Sequence, residues 1–385
     1  MTDLQEIARE TADETVGIRE KAEALLPVLE AGAAEADDHD RFVAENYARL
    51  RAAGLVEAGV PVEHGGGGAE VAELAEMLRI LARGCGSTAL AFAMHTHQVA
   101  IPAWRWRHRQ VAAMEPLLRR IAAERLILLS SGGSDWIGGS GEARRVEGGY
   151  RITARKVFTS GAEAGDILMT GAILEEDGER SVLHFGAPMK APEVRIEQTW
   201  RTLGMRGTGS NDVVIEDLFV ADAAVPLKRK AGEWHPLFQI IATIAFPLIY
   251  GVYLGVAESA RDIAVGLARK RPPSPHALAL AGRMETALRA AQIAHGAMLA
   301  EVARNDPSEQ SVNEVMIGRT LVGENAIRAV ELAMELAGGA GFYRAAGLER
   351  RFRDVQGARY HPLQAGPQAQ YAGAMALGQP VATIY

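Results

Sequence analysis

The apolar residues of this chain change period twice, and those two changes constrain its fold more tightly than anything else in the sequence. Over about the first 120 residues the spacing is helical: Val43, Tyr47 and Leu50 share one face behind Asp40 as an N-cap, and Gly54 stops the run. Val71, Leu74, Leu78 and Leu81 repeat the pattern, after Val60-Pro61-Val62-Glu63-His64 and the four glycines Gly65 to Gly68, which can only form a turn or loop. From Leu126 the runs become strand-like: Leu126 to Ser130, Tyr150 to Phe158, Ile167 to Leu174, Ser181 to Gly186, Val194 to Trp200 and Asp212 to Val220, separated by Gly, Glu and Asp turns. After Pro226 the helical pattern returns, with an apolar segment from Leu237 to Val256, an alanine-rich helix from Ala277 to Ala303, and a third from Val312 to Leu336. Ile327, Val330 and Met334 lie on one face of that third helix, which Gly338-Gly339 ends. Strands gathered between two helical blocks form a layer of their own, which disfavours a doubly wound parallel sheet. The expected class is α+β: an N-terminal helical domain over 1–124, a compact antiparallel β domain over 125–225 and a helical bundle over 226–385.

Composition narrows the function. With 385 residues, 48% of them hydrophobic and 23% charged, the chain can bury more than one core. A formal net charge of −7 provides no field for phosphate backbones or anionic lipid, and Lys228, Arg229 and Lys230 make at most a local patch, so no nucleic-acid partner is expected. The single cysteine, Cys85, supports neither an internal disulfide nor a cysteine metal site, and it fits a reducing cytoplasm. The opening Met1-Thr2-Asp3-Leu4-Gln5-Glu6 is acidic and lacks a signal pattern. Gln239, Thr243 and Gly251 interrupt the apolar segment, which reads as a buried helix in an oligomeric bundle rather than a membrane span.

Several short motifs then fall in one register. Gly54-Leu55 through Val60-Pro61 with Gly65 to Gly68, Gly133-Ser134-Asp135, Gly149-Tyr150-Arg151-Ile152 through Lys156-Val157-Phe158-Thr159-Ser160-Gly161 closed by Asp166, Leu203-Gly204-Met205-Arg206-Gly207-Thr208 with Val220, Gly338-Gly339-Ala340-Gly341-Phe342, and Arg353-Asp354 follow one another. Together they resemble the acyl-CoA dehydrogenase superfamily across nearly the whole chain. The resemblance implies a flavin between the β domain and a C-terminal four-helix bundle, and a homotetramer. A flavin needs hydrogen-bonding groups at its N5/O4 edge, a flat apolar wall and donors for its phosphate. Ser160, Phe158 and Ser134 can supply these in turn, with Thr159 beside them, although by residue type alone Phe158 is ordinary strand core and Ser134-Asp135 an ordinary turn. Gly338, Gly339 and Gly341 read as a helix end whose missing side chains let a backbone approach the cofactor. Ser130 and Ser131, standing where the dehydrogenases carry Thr-Glu-Pro, are either further flavin donors or turn residues.

The sequence also departs from that family. Dehydrogenases use a glutamate base shortly after the Arg-Asp pair or on the first helix of the C-terminal domain. Here no carboxylate follows Asp354, and the alternative position falls near Gln239, a candidate substrate contact instead. The segment that helps bind the adenylate of FAD reads Lys270-Arg271-Pro272-Pro273-Ser274-Pro275-His276, so FMN, or flavin delivered by a partner reductase, competes with FAD. Ser160 and His361 are similar to the serine and histidine that stabilise a C4a-hydroperoxyflavin in two-component flavin monooxygenases of this fold. Imidazole can both donate to and take a proton from such a group, whereas His361 before Pro362 can equally be a loop cap. His95 and His97 lie on a helix that borders the substrate pocket in this fold. Their i, i+2 spacing points them apart, so no shared metal is expected, and polar core histidines are the plainer reading. The resulting expectation is a cytoplasmic flavin-dependent monooxygenase acting on a small organic substrate. The alternatives are an acyl-CoA dehydrogenase that keeps FAD and passes electrons to an electron-transfer flavoprotein, and a catalytically silent assembly subunit.

Overall fold

A computed structural model describes residues 17–272 and 274–381, apart from the side chain of Ser134; the opening segment and Pro273 lie outside the described residues. Five helices come first: α1 (Ile18–Asp38), α2 (Ala44–Ala52), α3 (Val71–Gly84), α4 (Gly86–Arg109) and α5 (Glu115–Glu124). The helix α3 starts in a capping box in which Glu70 N–H donates to the Glu73 carboxylate at 2.9 Å. Its Val71, Leu74, Leu78 and Leu81 are all buried, as their spacing requires.

Eight strands follow: β1 (Leu128–Ser130), β2 (Glu142–Val146), β3 (Gly149–Thr159), β4 (Ile167–Glu176), β5 (Glu179–Pro188), β6 (Val194–Glu197), β7 (Asn211–Ala221) and β8 (Leu227–Lys230). They form one sheet in the order β6-β7-β3-β2-β4-β5-β8, with β1 also on β4. Most pairings are antiparallel, as expected, but β1 and β2 both run parallel to β4. Each pairs with a different half of the same β4 edge, Leu128 to Ser130 against Ile167 to Met169 and Glu142 to Ala143 against Ile173 to Leu174. The intervening residues 131–141 are therefore an excursion between two strand segments on one edge. Two strands escaped the sequence pattern for a plain reason: Glu142-Ala143-Arg144-Arg145-Val146 and Leu227-Lys228-Arg229-Lys230 are too charged to show an apolar alternation.

The C-terminal part holds α6 (Leu237–Ala268), α7 (Pro275–Ala303), α8 (Glu309–Ala337), the single turn α9 (Gly339–Phe342), α10 (Leu348–Val355) and α11 (Ala365–Ala376). Among the described helices α6 alone is long and apolar enough to cross a membrane. Its apolar surface is instead buried against α3, α4, α7 and α8. Each large apolar side chain it removes from water contributes about 1.5–3 kcal/mol, so the segment is a core helix.

Candidate active site

Three segments converge beside this core: the end of β3, the excursion 131–141 and the stretch that follows α10. The glycines of the excursion make the convergence possible. Gly132 N–H donates to Val157 O at 2.9 Å, and a side chain on Gly133 would stand 2.3 Å from Pro362 Cγ. The loop is thus pinched between β3 and the residue that follows His361.

On β3 the pairing with β7 slips between Lys156 and Thr159, and Phe158 takes a left-handed backbone, φ 54°. For a bulky residue that conformation costs about 1–3 kcal/mol. It turns the ring out of the core, 56% exposed, with its edge on Trp200 at 5.7 Å. An outward aromatic face is what a planar ring can stack on. Thr159 faces the other way, fully buried, with its hydroxyl on Lys156 O at 3.3 Å. Ser160 heads a chain of hydroxyls: Oγ to Ser210 Oγ at 2.8 Å, and Ser210 Oγ to Thr208 Oγ1 at 2.7 Å. Thr208 can donate onward to Met205 O at 2.9 Å, an oxygen that also receives Trp200 Nε1–H at 3.0 Å and Thr208 N–H at 3.1 Å. Because Met205 O retains two donors without the Thr208 hydroxyl, the chain can run in either direction. Ser160 can therefore accept or donate.

A buried ammonium anchors the excursion. Lys156, fully buried, places Nζ 3.0 Å from Asp135 Oδ2, 2.8 Å from Ser140 O and 2.6 Å from Gly171 O. Burial lowers its pKa and Asp135 pulls it back up. Thr170 links Asp135 to Ser131, whose hydroxyl it meets at 3.0 Å, while half-buried Ser130 makes no side-chain bond among the described residues.

His361 sits behind Pro362, with Nε2 2.6 Å from Tyr253 Oη of α6. Arg319 of α8 donates through Nη2 to His361 O at 2.8 Å and Ala358 O at 3.3 Å, and its guanidinium lies over the Tyr250 ring at 5.1 Å. Tyr250 Oη donates to the same Ala358 O at 2.8 Å. Among the described residues this buried arginine has no carboxylate partner. Burial, the Arg319 charge and His97 hold the His361 imidazole neutral, its pKa down at about 3.

The remaining candidates scatter. His95 has both ring nitrogens engaged, Nε2 with Val56 O at 2.8 Å and Nδ1 accepting Leu128 N–H at 3.0 Å. The expected substrate contact is therefore corrected: His95 clasps α4 to β1 and has no free nitrogen. His97 turns away from it and places Nδ1 3.0 Å from Ala93 O. Gln239 lies half-buried in the first turn of α6 without a side-chain bond. Gly338, at φ 63°, ends α8, and Gly339 is open. Gly341 instead packs tightly on Ala337 and Leu348. Arg353-Asp354 is architectural: Arg353 pairs with Asp37 and Glu349, and Asp354 accepts Met205 N–H at 2.5 Å. The described residues contain no cluster of metal ligands. Tyr253, Arg319 and Ser210 escaped the sequence reading, because Tyr253 is hidden in an apolar run and Arg319 in an ordinary helical face, and Thr208 entered it only as the last residue of a motif.

The acyl-CoA dehydrogenase N-terminal domain family matches residues 12–110, and the acyl-CoA dehydrogenase C-terminal domain family matches residues 248–364. The chain belongs to the acyl-CoA dehydrogenase superfamily. It is 27% identical over 383 residues to the amino sugar nitrososynthase DnmZ of Streptomyces peucetius, covering 93% of this chain and 92% of that one. The indole-3-acetate monooxygenase of Pseudomonas putida is 30% identical over 253 residues, 62% of this chain and 65% of that one. The X-ray structure of KijD3 with FMN and a dTDP-linked amino sugar superposes with a TM-score of 0.87 at 28% identity, covering 94% of this chain and 93% of that one. The protein is accordingly a flavin-dependent oxidoreductase of this superfamily.

Proposed function

We propose that this oxidoreductase is a monooxygenase that uses reduced flavin and dioxygen on a small organic substrate, with Ser160 and His361 as its catalytic pair. The observation that carries the reading is the neutral His361, in a segment that has no carboxylate after Asp354 and whose Pro362 holds the excursion 131–141 against β3. A thioester dehydrogenase needs a base at that place. The residues present fit a flavin: the outward ring of Phe158 offers a wall and Ser160 a hydroxyl of either polarity, while Gly132 and Gly133 let the excursion close on Phe158 and Pro362. FMN suits the chain better than FAD, since the adenylate-binding segment is replaced. When bound, reduced flavin supplies two electrons and activates oxygen.

The protein's own part is to position and to keep dry. His361 offers hydrogen bonding without a charge, and Arg319 and Tyr250 hold its loop. A line of rings runs beside it, with Trp136 against Trp234, Phe238 and Phe246 at 5.7–5.8 Å between centroids. Phe238 and Phe246 are buried, and the half-buried Trp136 and Trp234 give that line an apolar face suited to an organic substrate next to the excursion. Leu278 and Ile293 on α7 and Leu321 on α8 are exposed and apolar, which supports a homo-oligomer, a tetramer in our reading. The electrons come from a separate reductase, in the cytoplasm.

His361→Ala tests the reading. We expect flavin affinity and fold to be kept, product formation to fall by at least ~10²-fold, as for a lost acid–base group, and reduced flavin to be oxidised with release of hydrogen peroxide. Bleaching of the oxidised flavin by an acyl-CoA under anaerobic conditions would overturn the proposal.

A further inference from the structure

We propose that Tyr253 is the positioning residue that sets the tautomer of His361, so that the imidazole presents Nδ1–H, a donor, to the reacting atoms. This inference rests on the catalytic reading of His361 given above. The argument begins with the hydroxyl. Tyr253 is fully buried in α6, and its Oη has one hydrogen-bond partner among the described residues, His361 Nε2 at 2.6 Å. Gly357 closes over the same oxygen, since a side chain on it would come within 2.8 Å of Oη. No acceptor other than the imidazole is therefore at hand for the phenolic proton.

If His361 donated through Nε2, that proton would be left unpaired in the core, which costs more than the bond returns. The arrangement without an orphan has Tyr253 donating and Nε2 accepting. A neutral imidazole carries one proton, which then resides on Nδ1. Nδ1 makes no bond within the described chain, whereas Arg319 and Tyr250 hold the backbone carbonyls of Ala358 and His361. The groups that face the ring are Tyr250 and Tyr253 from α6, Arg319 from α8 and His97 from α4. None is an anion, so nothing favours a second proton on the ring. Tyr253 itself stays protonated, because burial and the neighbouring Tyr250 push its pKa well up. The pair thus delivers one fixed donor without moving charge.

Selective 15N-histidine labelling of the full-length, flavin-free protein reads the tautomer directly, and His361→Ala assigns the signal among the 10 histidines. We expect the Nε2 shift of an unprotonated acceptor and the Nδ1 shift of a protonated nitrogen. The opposite pattern overturns the proposal. Tyr253→Phe should move the pattern toward a tautomer mixture and lower product formed per reduced flavin by at least ~10-fold, a modest share of what tautomer errors cost elsewhere. Flavin dissociation should change by less than about twofold. Added to His361→Ala, the same change should bring no further loss. An unaltered Tyr253→Phe enzyme, or a full additional loss in the double variant, refutes the positioning role. If His361→Ala alone leaves product formation intact, the catalytic reading of His361 fails instead, and the nitrogen shifts still decide the tautomer.

Discussion

His95 is buried and His361 half-buried, and both are held neutral by their surroundings, yet their ring nitrogens are answered differently. Around His95 every polar atom is answered by backbone, Val56 O on one nitrogen and Leu128 N–H on the other. Around His361 one nitrogen is answered by a side chain and the other faces no protein group. A lowered pKa is common to the two, so it does not mark a site. What separates the two is the unanswered nitrogen of His361. The same contrast separates Thr159, whose hydroxyl is closed on Lys156 O, from Ser160, whose hydroxyl ends an adjustable chain.

The comparison breaks most readily at His95. Removing its ring leaves the Val56 carbonyl and the Leu128 amide buried without partners, at about 1–3 kcal/mol each. We therefore expect His95→Ala to lower unfolding free energy by about 4 kcal/mol in urea titration, where His361→Ala, next to the open side of its ring, lowers it by less than half as much. Equal losses would remove the distinction drawn between them.

How far the sequence foretold this contrast depends on what each residue answers to. The layer order and most strands follow from period alone, because alternation and helical spacing are dictated by which face meets the core. Motif register pointed to the end of β3 with Phe158 and Ser160, to the excursion with Ser134 and to the segment of His361, and these three segments lie against one another. It could not show that Phe158 leaves the core, since that outcome depends on a one-residue slip against β7. Nor could it separate His95 from His361: the partners of His95 are backbone groups 39 and 33 residues away, and such bonds leave no trace in residue type. Tyr253 and Arg319 were invisible for the same reason. Each looks like a normal member of its helix until α10 and the segment after it fold back onto α6 and α8.

Acid sharpens the comparison with a smaller effect. The pKa values of His95 and His97 are lowered to about 4 and that of His361 to about 3, burial being the first cause in each. A depressed histidine contributes stability that is present above its unfolded pKa, near 6.5, and is lost as pH falls through the folded value. Each should thus cost about 1.4 kcal/mol per pH unit below ~6.5. Asp354 works against this, its carboxyl raised to about 6 by burial, so that it gains stability as pH drops through that value. His361→Ala removes one of the acid-sensitive terms. We expect its melting temperature, below the parent's at pH 7.5, to approach or pass it by pH 5, and parallel pH profiles would show that the ring is not buried as neutral imidazole.

The smallest expected effect tests the open end of the comparison. Oxidised flavin presents N5 as an acceptor and reduced flavin presents N5–H as a donor, so a hydroxyl at that edge must change sides during turnover. With Ser210 present, Ser160 can donate to the ring while Ser210 donates to Ser160, or accept from the ring while its own proton goes to Ser210 and on toward Thr208 and Met205 O. Ser210→Ala leaves the first arrangement possible, because Ser160 still has a proton for N5. The second loses its outlet, and the buried Ser160 proton goes unpaired at a cost of about 1 kcal/mol. The variant should therefore bind oxidised flavin as the parent does and reduced flavin about fivefold more weakly, a difference of that same ~1 kcal/mol. Anaerobic fluorescence titration with both redox states gives the ratio. An unchanged ratio would mean that Ser160 does not face N5, and its hydroxyl chain would then belong with the closed polar bonds of Thr159 and His95.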